Sequence, residues 1–136
     1  MTAGGAFGAD ARAAVIEAQL GVCAGCSRKV TEVHHARPRG MGGTRNPDIG
    51  APFNGVALCR RCHWLAESRR DRARLLGWLT PTASPHVPCW TASLGWCTWT
   101  LLDPGTRLAT WCVRPFQGSP GPLHDEAVRD HKKETR

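Results

Sequence analysis

No stretch of this 136-residue chain approaches the ~20 consecutive apolar residues that a membrane-spanning helix needs. Its first residues, MTAGGAFGADARAAV, lack the basic, then apolar, then cleavable order of a secretory signal. Both absences predict a cytoplasmic chain with no membrane partner. In that reducing setting the seven cysteines read as metal ligands or free thiols before disulfides. No internal repeat is present, which excludes a repeat array. Lysine is scarce too, since 15 of the 18 basic residues are arginine.

What is present is a concentrated positive charge. The chain carries a formal +7, and residues 27 to 74 hold 11 Lys or Arg against 4 Asp or Glu. That segment accounts for the whole excess, so the remainder is neutral. The fixed fork of arginine donors matches phosphate oxygens better than the point charge of lysine does. A polyanion is the expected partner, nucleic acid before membrane. The length allows one compact domain plus extras, and two independent cores would be cramped.

Along the chain, residues 1 to 9 are small and Gly-rich, a frayed end. Asp10 is placed to cap a helix from Ala11 to about Leu20, with Val15, Ile16 and Leu20 on its apolar face and Gly21 ending it. Val30 to His35 is rich in β-branched residues and predicts a strand. The Gly- and Pro-rich stretch from Ala36 to Phe53 predicts a long functional loop. A short strand at Val56 to Leu58 then runs into a helix from about Arg60 to Leu76. TPTASPHVP (80 to 88) predicts a linker. Gly95 to Leu102 and Arg107 to Val113 flank DPGT and predict a β-hairpin that sets Cys97 opposite Cys112 and Thr98 opposite Trp111. The tail from Gln117 to Arg136 has few apolar residues and mixed charge, which predicts disorder.

Two CxxC pairs, Cys23 with Cys26 and Cys59 with Cys62, supply the four thiolates of a closed tetrahedral zinc site. The 32 residues between the pairs exceed the usual ribbon spacing, so an element with its own fold is inserted between two knuckles. Such a site adds folding energy on the order of 10 kcal/mol in small zinc modules. CRRCH (59 to 63) is also the attachment signature of c-type haem. Haem would need export and an axial partner, and the second CxxC and the arginine load argue against it.

Between the knuckles lies VHHARPRG (33 to 40). His34 and His35 close the predicted strand, and His63 follows Cys62 at the start of the predicted helix. The zinc clasp would hold strand end and helix start together and bring imidazoles around one point. Two of them could bind a divalent metal that takes a scissile phosphate, while the third works on water. An imidazole near its ordinary pKa suits a general base at neutral pH. Adjacent strand residues point to opposite sides, so one of His34 and His35 could ligate while the other faces the water. On the helix, His63, Glu67, Arg70 and Arg74 fall at i, i+4, i+7 and i+11, one stripe with Glu67 as a candidate further ligand. His86, His124 and His131 lie in linker or tail and read as structural. Trp64, Leu65, Leu75, Leu76 and Trp78 read as core.

The doublet His34-His35, Asn54 and His63, framed by the two CxxC pairs, resembles the HNH endonuclease family, and the phrases VHHARPRGMGGTRNPD and LCRRCHWLAESRR resemble its small bacteriophage-encoded members. The likeness covers about residues 21 to 80. It implies an α+β fold: a small zinc-stabilised treble-clef domain with a ββα-metal (His-Me finger) core, here with an N-terminal helix and a C-terminal β-hairpin. The implied organisation is an extension at 1–20, the nuclease domain at 21–80, a linker and accessory hairpin at 81–116, and a disordered tail at 117–136. By position, the resemblance implies His34 as metal ligand, His35 as general base and His63 as second metal ligand. Asn54 would hold the loop and orient His35 through backbone hydrogen bonds; on its own it is only a turn residue before Gly55. The first motif position is often Asp in relatives, and the run IGAPFNGVALC is less regular than theirs.

The implied activity is hydrolysis of DNA phosphodiesters to 5′-phosphate and 3′-hydroxyl ends with Mg²⁺, Mn²⁺ or a similar ion, beside a structural Zn²⁺. A phage origin would place it in the host cytoplasm, where the resemblance leaves open genome packaging beside terminase, homing or degradation of competing DNA, with packaging the preferred role. Arg37, Arg39 and Arg45 on the loop, with Arg70 and Arg74 on the helix, are the expected phosphate contacts. One small core contacts mainly backbone, so binding should be weakly sequence-specific and steeply salt-dependent. The competing reading is a non-catalytic zinc module that binds nucleic acid or a protein.

Overall fold

The computed structural model describes residues 5–40, 44–102 and 110–136. The start of the Gly-rich end (1–4), the centre of the long loop (41–43) and the DPGT connection (within 103–109) lie outside the described residues. The architecture is a small α+β fold with two antiparallel sheets.

Helix α1 spans Ala9–Ala18 and is capped by Gly8, so Asp10 sits in its first turn instead of at the cap. The carboxylate there still faces the positive end of the helix dipole. The chain leaves α1 through left-handed Leu20 and Gly21, at φ 64° and 73°. Gln19 fastens this exit to the next sheet: its amide donates to Gly55 O at 3.2 Å and its Oε1 accepts from Ala57 N at 2.8 Å. Val15 is buried with Ala57 and Trp99.

Strands β1 (Glu32–His35) and β2 (Gly55–Leu58) pair antiparallel, with His34 opposite Val56 and His35 opposite Gly55. Two short 3-10 turns, Pro47–Gly50 and Pro52–Asn54, each begin at a proline whose fixed φ suits a first turn. Helix α2 follows at Arg60–Ser68, then α3 at Arg70–Leu75.

The single helix expected from Arg60 to Leu76 is thus broken, at Arg69 with φ −114° and ψ 63°. The reason is legible afterwards. The buried residues Cys62, Leu65, Ala66, Ala73 and Leu76 would share one face of a straight helix, and Arg69 would fall in the middle of it. A buried unpaired guanidinium is costly. The bend instead lets Arg69 reach outward to Glu134, 3.5 Å away. The stripe His63, Glu67, Arg70, Arg74 is divided by the same bend. Trp64 is a second correction: it is 58% exposed, because positions 62, 65 and 66 already take the buried side.

The second sheet has the order β3-β4-β5, with β3 at Cys89–Thr91, β4 at Gly95–Leu102 and β5 at Thr110–Pro115. The expected hairpin is present, gains a strand directly after the expected linker, and has a different register. Thr100, not Cys97, faces Cys112, and Leu101, not Thr98, faces Trp111; Cys97 lies opposite Cys89 on one side and Pro115 on the other. This register packs Trp111 edge-on against Phe53, with ring centroids 4.8 Å apart.

The tail is not disordered as expected. Helix α4 spans Pro122–Glu134, with Pro122 in its first turn, Asp125 near its start and Lys132 and Lys133 near its end. Ala127, Val128 and His131 bury one side of it. A single buried cluster joins Cys23, Leu58, Cys62, Trp78, Trp90, Trp96, Ala127 and Val128, so the segments expected as core, accessory hairpin and tail share apolar contacts. No helix among the described residues is long and apolar enough to cross a membrane.

Candidate metal centres

The first CxxC sits in a tight turn after α1. Cys23 N donates to Arg28 O at 2.7 Å, Ser27 N donates to Cys23 O at 2.9 Å, and Ser27 adopts φ 63°. The turn also aims Gly25 N at Cys23 Sγ, 3.3 Å away. The second CxxC opens α2, where Cys59 is the N-cap and its Sγ accepts from Cys62 N at 3.4 Å. Ala24 N donates to Ala57 O at 2.7 Å, which ties the first knuckle to the strand leading into the second. The four sulfurs lie within 4.8 Å of one another, Cys26 and Cys59 at 3.7 Å, with Cys23 and Cys62 fully buried.

These sulfurs share protons. The hydrogen bond from Cys62 pulls the Cys23 thiol down to about 5, and the same bond with burial pushes Cys62 up. Burial holds Cys26 up at about 11. Four thiols this close, two of them fully buried, cannot all ionise without a compensating cation, and four soft donors at this spacing could bind a zinc ion. The backbone N–H groups aimed at Cys23 and Cys59 suit thiolate acceptors. The donor set therefore fits the expected structural zinc.

The second cluster begins one residue further on. β1 delivers His34 and α2 delivers His63 and Glu67, and one donor atom from each lies within 4.8 Å of the others. The rings of His34 and His63 meet edge-on at 5.0 Å. Each imidazole has its other nitrogen occupied. His34 Nε2 donates to Trp78 O at 2.7 Å, which leaves the Nδ1 lone pair free. His63 Nδ1 pairs with a Glu32 carboxylate oxygen, and its Nε2 is 3.4 Å from Glu67 Oε1. Metal-binding histidines ordinarily give their second N–H to a carbonyl or carboxylate in this way. Burial holds the His34 pKa below its usual value, with the neighbouring His63 adding to the effect and the Trp78 hydrogen bond opposing it. The ring is therefore held in its neutral, ligating form. The cluster opens on a cleft of about 240 Å³ that is also bordered by His35, Pro38 and Arg39.

His35 lines this cleft but stands outside the three-donor cluster. Its Nε2 donates to Gly5 O at 2.7 Å, and Phe7 stacks on the ring at 4.0 Å and 16°. Burial lowers its pKa, the Gly5 hydrogen bond raises it, and Arg39 lowers it again, with a net decrease. Asn54 is 1% exposed and holds the long loop as expected. Its Oδ1 accepts from Arg37 N at 2.8 Å, and its Nδ2 donates to Arg37 O at 3.0 Å and Ile49 O at 2.8 Å. Its backbone carbonyl accepts from Ala36 N, the residue after His35, at 2.9 Å.

Of the five expected phosphate contacts, only Arg39 borders the cleft. Arg37 bonds the carbonyl of Pro81, and Arg74 pairs with Asp71 at 2.7 Å. Arg39, Arg45 and Arg70 have no ion-pair partner among the described residues. Sequence reasoning missed Glu32. The signal was available: Glu32 and His34 are two apart on a strand, so both side chains leave the same face of β1. Comparison with protein-family models, with curated proteins and with solved structures returned no match to this chain.

Proposed function

We propose that the chain is a metal-dependent DNA endonuclease or nickase of the HNH type, with β1, β2 and α2 as a ββα-metal element inside a treble-clef-like zinc site. The observation that carries this reading is the convergence of His34 and His63, each with its second nitrogen hydrogen-bonded, on one point beside Glu67 and an open cleft. A buried structural cluster alone has no need for such a pair. His34 through Nδ1 and His63 through Nε2 would hold a divalent ion, with Glu67 closing on it. Bound there, the ion would supply charge stabilisation for a phosphodiester and its leaving oxygen.

The chain's own groups would do the rest. Trp78 O and Glu32 fix the tautomers of the two ligating rings. Arg39 at the cleft edge is placed to meet a phosphate oxygen. His35, neutral at pH 7, carries its proton on Nε2 while paired to Gly5, so Nδ1 is the nitrogen open to a proton from water. Asn54 keeps the loop that follows His35 closed against Ile49.

The second reading is a zinc module that binds nucleic acid or protein without chemistry, and one observation favours it: His35 lies under Phe7 and is tied to Gly5. The two readings separate on supercoiled plasmid. Wild type and His35→Ala, each with about one zinc per chain, are assayed with Mg²⁺, Mn²⁺ and EDTA. The nuclease reading expects metal-dependent nicking by wild type and a drop of about 10²- to 10⁴-fold in the variant. Bound DNA with no cleavage by wild type in any metal would hand the case to the binding module.

A further inference from the structure

Helix α4 presents Ala127, Val128 and His131 to the core, and His131 is 1% exposed. Its ring stands edge-on to Trp78, with centroids 4.9 Å apart at 87°, and lies 6.1 Å from Trp90. An imidazole enclosed by indoles needs a polar partner, since burying an unpaired polar group is costly. A cysteine of the first metal centre is within reach: His131 Nε2 lies 3.4 Å from Cys62 Sγ, with the Gly25 backbone also facing the ring.

We propose that His131 is a positioning residue of the four-cysteine site, donating its Nε2–H to the Cys62 thiolate and so making the C-terminal helix part of the metal's outer shell. The inference rests on the four cysteines holding zinc. A thiolate bound to a dication has no proton to give, so the imidazole must be the donor. No bond is made or broken; the N–H only supports the charge on sulfur.

Two further features fit this role. Gly25, inside the first CxxC, leaves the space the ring needs. A Cβ there would lie 2.6 Å from Cys62 Sγ, 2.7 Å from His131 Nε2 and 3.0 Å from Trp78 Cη2. One turn beyond His131, α4 is tied to α2, which carries the second knuckle, and to α3 after it. Glu134 Oε1 accepts from Arg72 Nη1 at 2.8 Å, and the Glu134 carbonyl accepts from Arg61 Nη2 at 2.6 Å. The ring is thus held from both sides in register with the sulfur.

The test compares wild type, His131→Phe and His131→Gln. Phe keeps a flat ring and loses the donor, and Gln restores an N–H near the Nε2 position. Zinc release to a colorimetric chelator is followed, with ¹¹³Cd chemical shifts of the cadmium-loaded proteins as the spectroscopic reading. A hydrogen-bond partner of a metal ligand is worth about 10- to 100-fold in metal retention. We expect His131→Phe to lose zinc faster by that factor with a displaced ¹¹³Cd resonance, and His131→Gln to recover most of both. A folded His131→Phe that releases zinc at the wild-type rate with an unmoved resonance overturns the proposal.

Should His131→Phe fail to fold, ¹¹³Cd-loaded wild type decides, since a coupling between the cadmium and the His131 Nε2 proton requires the bond and its absence denies it. Wild-type zinc stoichiometry keeps the premises apart. No zinc in wild type sinks the zinc reading and this inference together, while one zinc per chain with unaffected variants sinks only the role of His131.

Discussion

The two clusters share one short helix and differ in almost everything else. Cys59 and Cys62 at the start of α2 face inward to Cys23 and Cys26, giving four sulfurs with two of them fully buried. His63 and Glu67, the next donors on the same helix, meet His34 beside a cleft, and the Glu67 side chain is 61% exposed. The first set is complete in protein ligands, and the second has three donors with room for others. Closed sites hold a fold together, while open ones keep positions for substrate and water. One helix start therefore joins the two, so that whatever fastens the cysteines also sets the separation of the histidines.

The largest effect expected from this arrangement is asymmetric dependence. Cys23→Ala should leave the chain largely unfolded, because metal-binding energy on the order of 10 kcal/mol in such modules is folding energy. Circular dichroism and thermal melting read this directly, and chelation of wild-type zinc should reproduce it. His63→Ala, by contrast, should keep its fold and its zinc, since that ring is part-exposed and its polar and ring contacts among the described residues are with Glu32, Glu67 and the edge of His34. A Cys23→Ala protein with wild-type melting would erase the division between closed and open sites.

The two centres also differed in how legible they were. Both CxxC pairs were visible from spacing alone, because four thiolates at knuckle spacing have few other uses. β1 was legible from its β-branched run, β2 as a short apolar stretch before the second CxxC and β4 from its place before DPGT, whereas the pairing of β1 with β2 became visible only in the structure. What the sequence hid was long-range. Arg69 was one residue inside the single helix expected from Arg60 to Leu76 until the buried face of α2 and α3 showed it in the way. The tail has few apolar residues, yet three of its side chains find a partner surface made of tryptophans and a cysteine cluster far away in sequence. Local composition carries no record of such a surface. The register of β4 and β5 differed from the expectation for a similar reason, since the one observed brings Trp111 against Phe53, a partner 58 residues away in the chain.

A smaller effect sharpens the contrast within the open centre. Glu32→Gln keeps shape but loses the carboxylate that holds His63 Nδ1–H. Outer-shell partners of metal-bound histidines are worth about 10- to 100-fold in affinity. Mn²⁺ binding, followed by electron paramagnetic resonance, should weaken by that factor while zinc content stays at the wild-type level. Equal Mn²⁺ affinity in both proteins would mean that the Glu32 contact is only a surface ion pair, which is worth little.

The smallest effect concerns the approach of DNA. Arg39 borders the cleft, whereas Arg70 lies beyond the bend at Arg69, on a different helix from His63 and Glu67. Each phosphate neutralised contributes about 0.9 to the slope of log affinity against log salt on duplex DNA. Arg39→Ala should reduce that slope by about one and weaken binding uniformly across sequences, since a phosphate contact reads no base. Arg70→Ala should change it less if the duplex is held at the open centre. Fluorescence anisotropy across a salt series separates the two variants. A larger slope change at Arg70 than at Arg39 would place the DNA on the α3 surface, and the cleft beside His34 and His63 would then need a different ligand.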